Sequence, residues 1–167
     1  MLFRSYSFAT APHRRLFFIA ALLIFIHVHP GFAQNEHVPA SSIPTADLIQ
    51  PADLAASLQS TSPKPLILQV GSHILFAEAH IPGAEYAGPT NQDAGLQILK
   101  DRIATLPKDT AIILYCGCCP WERCPNIAPA YNLLHAMGFT HLKVLYIADN
   151  FGANWVAKGY PVAKGRS

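Results

Sequence analysis

The sequence predicts an α/β domain with an open parallel β-sheet and helices on both faces. Three short apolar runs indicate this, over residues 66–70, 111–115 and 144–147. A strand buried on both faces forms a continuous apolar segment, whereas a half-buried strand alternates. Segments with helical spacing separate the runs. Strands that alternate with helices are typical of a parallel sheet covered on both sides, which is a three-layer arrangement.

The N-terminal part of the chain predicts a secretory signal peptide. Residues 1–15 carry three arginines and no acidic residue, residues 16–28 are almost wholly apolar, and small residues precede a cleavage point after Ala33. The predicted segments are the signal peptide, a flexible polar lead-in and the domain, over residues 1–33, 34–46 and 47–165. We therefore expect a periplasmic or secreted protein. The alternative is a protein tethered to the membrane by an uncleaved segment at residues 16–28.

Cleavage after Ala33 would also change the charge balance. It removes three of the 12 basic residues and none of the 10 acidic residues, so the formal net charge falls from +2 to −1. The remaining chain has no basic run and no aromatic residues interleaved with basic ones, which argues against a nucleic-acid partner. We expect no stable membrane association after cleavage. The sequence does not indicate an oligomeric state.

The first half of the domain contains a short strand and two helices besides the run at residues 66–70. Leu48 and Ile49 suggest a short strand. A helix over residues 51–58 follows, because proline is well tolerated at the first helical position. His80 begins a short extended piece over residues 80–84. A second helix is predicted from Asp93 to about Leu106, where apolar residues recur at helical spacing before Pro107.

The second half contains one long helix and a closing turn. Asn126 is a candidate N-cap for a helix with an apolar face, and Gly138 is a suitable end for it. A helical turn over residues 154–159 closes the domain. The run at residues 111–115 leads directly into Cys116, so that this cysteine lies between a strand end and a helix start. Ligands bind beyond the carboxyl ends of the strands in open α/β sheets.

All four cysteines lie in one segment, between Cys116 and Cys124. A secreted scaffold stapled by disulfides would spread its cysteines along the chain, because short loops gain little from closure. The clustering therefore predicts a functional site in this segment.

The order of the motifs resembles that of the rhodanese-like sulfurtransferases. The matching segments are the strand at residues 66–70, His-Ile-Pro-Gly-Ala at 80–84, the strand and cysteine at 112–116, Leu-x-x-x-Gly-Phe at 134–139 and Trp-x-x-x-Gly-Tyr-Pro-Val at 155–162. The resemblance implies the rhodanese-like three-layer fold. It also implies that Cys116 is a nucleophile that takes sulfane sulfur from thiosulfate or a polysulfide, holds it as a persulfide and passes it to a thiophilic acceptor.

This chemistry needs no cofactor, and its partner is a small sulfur-containing anion or thiol. The thiolate is the nucleophile, so its pKa has to be lowered, and backbone N–H groups at a helix start favour the anion. The chain departs from the family in two places. Gln69 and Gly71 stand where an Asp and an Arg are usual, and the loop after Cys116 is longer than the usual active loop and holds extra cysteines.

The remaining loop residues have several possible roles. Cys118, Cys119 and Cys124 are candidate resolving or auxiliary thiols, and the alternative is that two of them form a plain loop disulfide. Arg123 could bind an anionic donor or pair with Glu122. Trp121 could cover the site or stack on a substrate, and the alternative is that it packs in the core.

Two other functions remain open besides sulfur transfer. One is a thiol–disulfide or peroxide-handling redox protein that uses Cys116 and a partner in the loop. The other is a soft-metal-binding module in which Cys116, Cys118, Cys119 and Cys124 hold Cu(I) or Zn; the spacing is not that of a zinc ribbon, and no metal is our primary expectation.

Overall fold

A five-stranded parallel sheet forms the centre of the domain in the computed structural model, which describes residues 39–165. The strands are β1 Leu48–Ile49, β2 Leu66–Gln69, β3 Glu85–Tyr86, β4 Ile112–Tyr115 and β5 Leu142–Leu145. Their order across the sheet is β1-β5-β4-β2-β3, and every neighbouring pair is parallel. The predicted fold class is confirmed. The predicted signal peptide and residues 34–38 of the lead-in lie outside the described residues and stay predictions.

Helices cover both faces of the sheet. They are α1 Pro51–Gln59, α2 His73–Glu78, α3 Asp93–Ile103, α4 Ile127–Ala136 and α5 Phe151–Asn154. Ile112 and Leu114 of β4 pack in one core with residues of α3 and α4, while Ile113 and Tyr115 pack in a second core with residues of α1, α2 and α5. All four β4 residues are buried. Alternate side chains enter opposite cores, which is why a central strand is apolar throughout.

Part of the predicted lead-in is packed structure. Short 3₁₀ turns occupy Ala40–Ser42 and Thr45–Asp47. Ala40 and Ile43 are buried in the core that contains α3 and α4. The folded domain therefore includes residues before 47, because the apolar side chains of Ala40 and Ile43 pack in the core although the segment is otherwise polar.

Several elements differ from the sequence-based expectation. Strand β3 follows the extended piece expected at residues 80–84, and α5 begins before the helical turn expected at residues 154–159. The last strand is Leu142–Leu145 and not residues 144–147, because the exposed Lys143 interrupts the apolar pattern while still pairing with Ile113. Helix α2 was not expected. It begins after Ser72, whose hydroxyl accepts a hydrogen bond from the backbone N–H of Leu75 (3.4 Å), as an N-cap does.

His80 joins α2 to the C-terminal segment. Its ring stacks on Phe76 with centroids 4.0 Å apart, and its Nδ1 lies 2.8 Å from the Phe76 carbonyl oxygen. Its backbone forms two hydrogen bonds with Ala163. The side chain thus holds a turn in place. None of the helices in residues 39–165 has the length and hydropathy needed to cross a bilayer.

Candidate active site

The cysteine-containing loop connects the end of β4 to the start of α4, at the carboxyl edge of the parallel sheet. Gly117 determines how the loop leaves the strand. A β-carbon at this position would lie 2.5 Å from Cβ of Phe151, and the backbone N–H of Phe151 donates to the Gly117 carbonyl oxygen (3.1 Å). The close approach of α5 therefore requires glycine between Cys116 and Cys118.

All four cysteines are free thiols, and they form one cluster. The Sγ atom of Cys118 lies 3.3 Å from Sγ of Cys116 and 3.2 Å from Sγ of Cys119. Cys116 and Cys124 are buried, Cys119 is half-buried and Cys118 is exposed. The structure thus brings together the four cysteines that the sequence predicted to form one site, while their roles as nucleophile and auxiliary thiols stay predictions.

The cluster does not have the geometry of a metal site. No set of three or more histidine, cysteine, aspartate or glutamate side chains in residues 39–165 is arranged to hold an ion. Zn–S bonds of about 2.3 Å in a tetrahedron place the sulfurs roughly 3.8 Å apart, which is longer than the two contacts at Cys118. These contacts fit hydrogen bonds between thiols, so the soft-metal alternative gains no support from the geometry.

Asn126 is a functional candidate that sequence reasoning assigned only to helix capping. It is the residue before α4, as predicted, but its side chain makes no capping hydrogen bond. Its buried Nδ2 lies 3.5 Å from Cys116 Sγ and 3.9 Å from Cys118 Sγ. The backbone N–H of Asn91 donates to its Oδ1 (3.1 Å), which orients the amide. The loop therefore contains a fixed donor for an anionic sulfur.

The contacts within the cluster give the thiols different pKa values. Hydrogen bonds from Cys116 and then Cys124 lower the pKa of Cys118 well below its ordinary value, against a smaller opposing effect of burial. The pKa of Cys116 is raised by its contacts with Cys118, Cys119 and Cys124 and by burial. The hydrogen bond with Cys116 lowers the pKa of Cys124, but the contact with Cys118 and burial outweigh it, and the pKa is about 12. Negative charge is thus favoured on the exposed Cys118 and not on Cys116, so the lowered pKa expected of the Cys116 nucleophile is found on a different cysteine.

Gln69 and Gly71, the two departures from the family pattern, lie directly beside this cluster. Gln69 is buried, and its Oε1 accepts a hydrogen bond from the backbone N–H of Gly71 (3.2 Å). A β-carbon on Gly71 would lie 2.8 Å from Cys116 Sγ and 3.1 Å from Gln69 Nε2. The space beside Gly71 is therefore taken by the sulfur, which explains why a large side chain is absent there.

We expect Gly71→Ala to displace Cys116 and to slow the sulfur transfer that the sequence predicts by roughly ten- to a hundredfold, because shifts of about 1 Å at a reacting atom have effects of this size. Overpacking should also lower the free energy of unfolding by about 1–3 kcal/mol. Initial rates and urea unfolding measure the two effects. Gly138→Ala is the matched control, since it strains a backbone with φ of 86° but meets no atom within 4 Å. Equal rate losses in both variants would contradict the steric explanation.

A cavity of about 340 Å³ opens beside the cluster. Cys118 lines it, together with Gln69 of β2, Tyr115 of β4, Glu78 of α2, Phe151 of α5 and Asn150, the residue before α5. Glu78 is the one charged residue in this lining. Neither Cys116 nor Arg123 belongs to it. The cavity thus makes the Cys118 thiol accessible to a small ligand, next to a single negatively charged side chain.

The structure does not place Trp121 and Arg123 at this cavity. Trp121 is buried, its ring centroid lies 5.2 Å from that of Tyr146, and it belongs to the core around α4. This matches the packing alternative for Trp121. Arg123 is exposed, and it forms no ion pair with Glu122 among the described residues. Its proposed contact with an anionic donor stays a prediction.

No protein-family profile and no curated protein matches the chain. The chain does match solved structures. The Alr3790 protein from Anabaena sp. is 25% identical with a TM-score of 0.55, over 70% of this chain and 92% of that one. The solution structure of the rhodanese-like domain from the same protein is 25% identical with a TM-score of 0.52, over 71% and 79%. A thiosulfate sulfurtransferase from Pseudomonas aeruginosa is 21% identical with a TM-score of 0.52, over 71% of this chain and 20% of that one.

Proposed function

We propose that this chain, which has the rhodanese-like fold expected from its motifs, is a sulfurtransferase. It carries sulfane sulfur as a Cys116 persulfide from thiosulfate or a polysulfide to a thiophilic acceptor. The observation that carries the proposal is the position of Cys116 at the end of a central parallel strand, in contact with Cys118 and with the Asn126 amide. The fold shared with a thiosulfate sulfurtransferase supports the same reaction class.

The reaction has two displacement steps at sulfur. A thiolate of the cluster attacks the sulfane sulfur of the donor, the donor's bond to that sulfur breaks, and its electron pair leaves with the rest of the donor. The acceptor then attacks the outer sulfur of the persulfide and releases the cysteine as a thiolate. A covalent carrier divides one transfer into two easier steps. The fixed N–H of Asn126 stabilises the sulfur anion by a charge-assisted hydrogen bond.

Intact mass and peptide mapping test the proposal. The reduced protein is incubated with thiosulfate, with inorganic tetrasulfide and with cysteamine persulfide, and its mass is measured before and after cyanide is added. A gain of one sulfur that maps to Cys116 and is lost to cyanide supports the proposal. No gain from any of the three donors would overturn it.

Thiol–disulfide exchange is the second candidate. The sulfur contacts of 3.2–3.3 Å around Cys118 favour it, because a small movement would bring two of them to the bond length of about 2.05 Å. In the same mapping experiment, a loss of two hydrogens on mild oxidation, reversed by a dithiol and without sulfur uptake, would favour this function over sulfur transfer.

The cavity lining predicts which donors react best. Glu78 is its charged residue, so a doubly negative donor such as thiosulfate is repelled on approach to Cys118. We expect Glu78→Gln to raise kcat/KM for thiosulfate by about three- to tenfold at low salt, the size of a screened repulsion between these charges. The kcat/KM for cysteamine persulfide should fall or stay the same, because its ammonium group is not repelled by Glu78.

Glu122→Gln is the matched control for this variant. It removes the same charge from an exposed position in the 3₁₀ turn Trp121–Arg123, away from the cavity lining. Steady-state rates with both donors at two salt concentrations measure the effect. An equal gain in both variants would mean that total charge, and not Glu78, governs the choice of donor.

A further inference from the structure

Cys116 and Cys118 lie in opposite environments although one residue separates them. Cys116 is only 3% exposed and packs in the core around α4, where its Sγ lies next to Gly71. Cys118 is exposed and lines the cavity, which Cys116 does not. Gly117 lies between them, where contact with Phe151 leaves no room for a side chain. A donor in the cavity therefore meets the sulfur of Cys118 first.

We propose that Cys118 takes the sulfane sulfur from the donor at the cavity and passes it to Cys116, which stores it away from solvent. The inference rests on the proposed sulfurtransferase function and assigns its first chemical step to another residue. The contact of 3.3 Å between the two Sγ atoms supports the transfer, since it places the second thiol within reach of a sulfur bonded to the first.

The relay is balanced and needs no oxidant or reductant. In the first step the Cys118 thiolate attacks the sulfane sulfur of a donor RS–SH. A bond forms between this sulfur and Cys118 Sγ, the donor S–S bond breaks, and RS⁻ leaves with the electron pair. In the second step Cys116 Sγ attacks the same outer sulfur. The bond to Cys118 breaks, its electron pair stays on Cys118 Sγ, and the proton of the Cys116 thiol moves to Cys118.

Asn126 supports both steps from one position. Its Nδ2 lies within 3.5 Å of Cys116 Sγ and 3.9 Å of Cys118 Sγ, so the same donor faces the anionic sulfur before and after the transfer. The amide is held by Asn91 and is buried, so it does not have to reorient through solvent. The lowered pKa of Cys118 also favours the thiolate at the position where the donor arrives.

Rapid mixing with cysteamine persulfide, followed by an acid quench and peptide mapping, tests the relay. In the unmodified protein we expect sulfur on Cys118 in the earliest samples and on Cys116 later. Cys116→Ser should trap the sulfur on Cys118. Cys118→Ser should load Cys116 at least tenfold more slowly. Cys119→Ser changes the adjacent thiol, which does not line the cavity, and should slow loading less than Cys118→Ser does. Far-UV circular dichroism checks that each variant is folded.

Three outcomes would overturn the relay, and they separate it from the proposed function. Loading of Cys116 in Cys118→Ser at the unmodified rate would show that Cys116 reacts directly, and the sulfurtransferase function would stand. Formation of a Cys116–Cys118 disulfide with release of hydrosulfide would show that Cys116 resolves the Cys118 persulfide and does not store its sulfur. Absence of sulfur from both cysteines in the unmodified protein, with every donor tested, would overturn the proposed function together with the relay.

Discussion

Cys116→Ser is expected to lower kcat/KM for complete sulfur transfer, from donor to acceptor, by about a hundredfold, because the carrier nucleophile is removed and only sulfur held on the exposed Cys118 is left for the acceptor. A hydroxyl stays protonated at neutral pH and forms no persulfide, so the sulfur cannot be stored in the buried position. Cyanide as acceptor, with thiocyanate as the measured product, follows the reaction. The first step, in which Cys118 takes sulfur from the donor, should still occur in this variant. The rate of single-turnover loading should therefore change little while the rate of steady-state turnover falls.

The control for Cys116→Ser introduces a buried hydroxyl elsewhere in the same core. Val144 is fully buried in β5 and belongs to the core that contains Cys116. Val144→Thr should lower the free energy of unfolding by about 1–3 kcal/mol, as a poorly partnered buried hydroxyl does, while transfer activity is kept. If Cys116→Ser retained full turnover, Cys116 would not be the carrier. If Val144→Thr lost as much activity, general destabilisation would explain both results.

Trp155→Ala is expected to lower the free energy of unfolding by about 3–5 kcal/mol, because it leaves a large cavity in the second core. Trp155 is fully buried, its ring packs against those of Phe151 and Tyr160, and its Nε1–H donates to the Pro161 carbonyl oxygen (2.8 Å). This loss is a large fraction of the roughly 5–15 kcal/mol that stabilises a typical domain. Urea unfolding followed by circular dichroism measures it.

Trp155→Phe separates packing from hydrogen bonding. It keeps most of the aromatic volume and loses only the N–H donor, so it should cost about 1–2 kcal/mol. The position also bears on the site, since Phe151 contacts both Trp155 and Gly117. Donor loading should therefore slow in Trp155→Ala before the domain unfolds. A cost for Trp155→Phe equal to that of Trp155→Ala would assign the stability to the hydrogen bond.

The sheet and most of the helices were predictable because their signals are local. The apolar run that ends at Tyr115 indicates a central strand whatever the rest of the chain does. Pro51 begins α1, as its missing N–H allows. Helix α2 lacked such a signal. Its apolar side chains are partly exposed, with Ile74 at 70%, and only Phe76 is fully buried, so no periodic pattern identified it.

The sequence by itself determined the fold class, the strand that presents Cys116 and the membership of the cysteine cluster, because apolar periodicity and residue order along the chain are enough for these. Only the tertiary structure decided which thiol faces the cavity, why Gly71 stands beside the sulfur and that Asn126 turns its amide to Cys116 and Cys118. These features depend on contacts between segments distant in the chain. An irregular loop takes its side-chain directions from such contacts and not from a repeating backbone pattern.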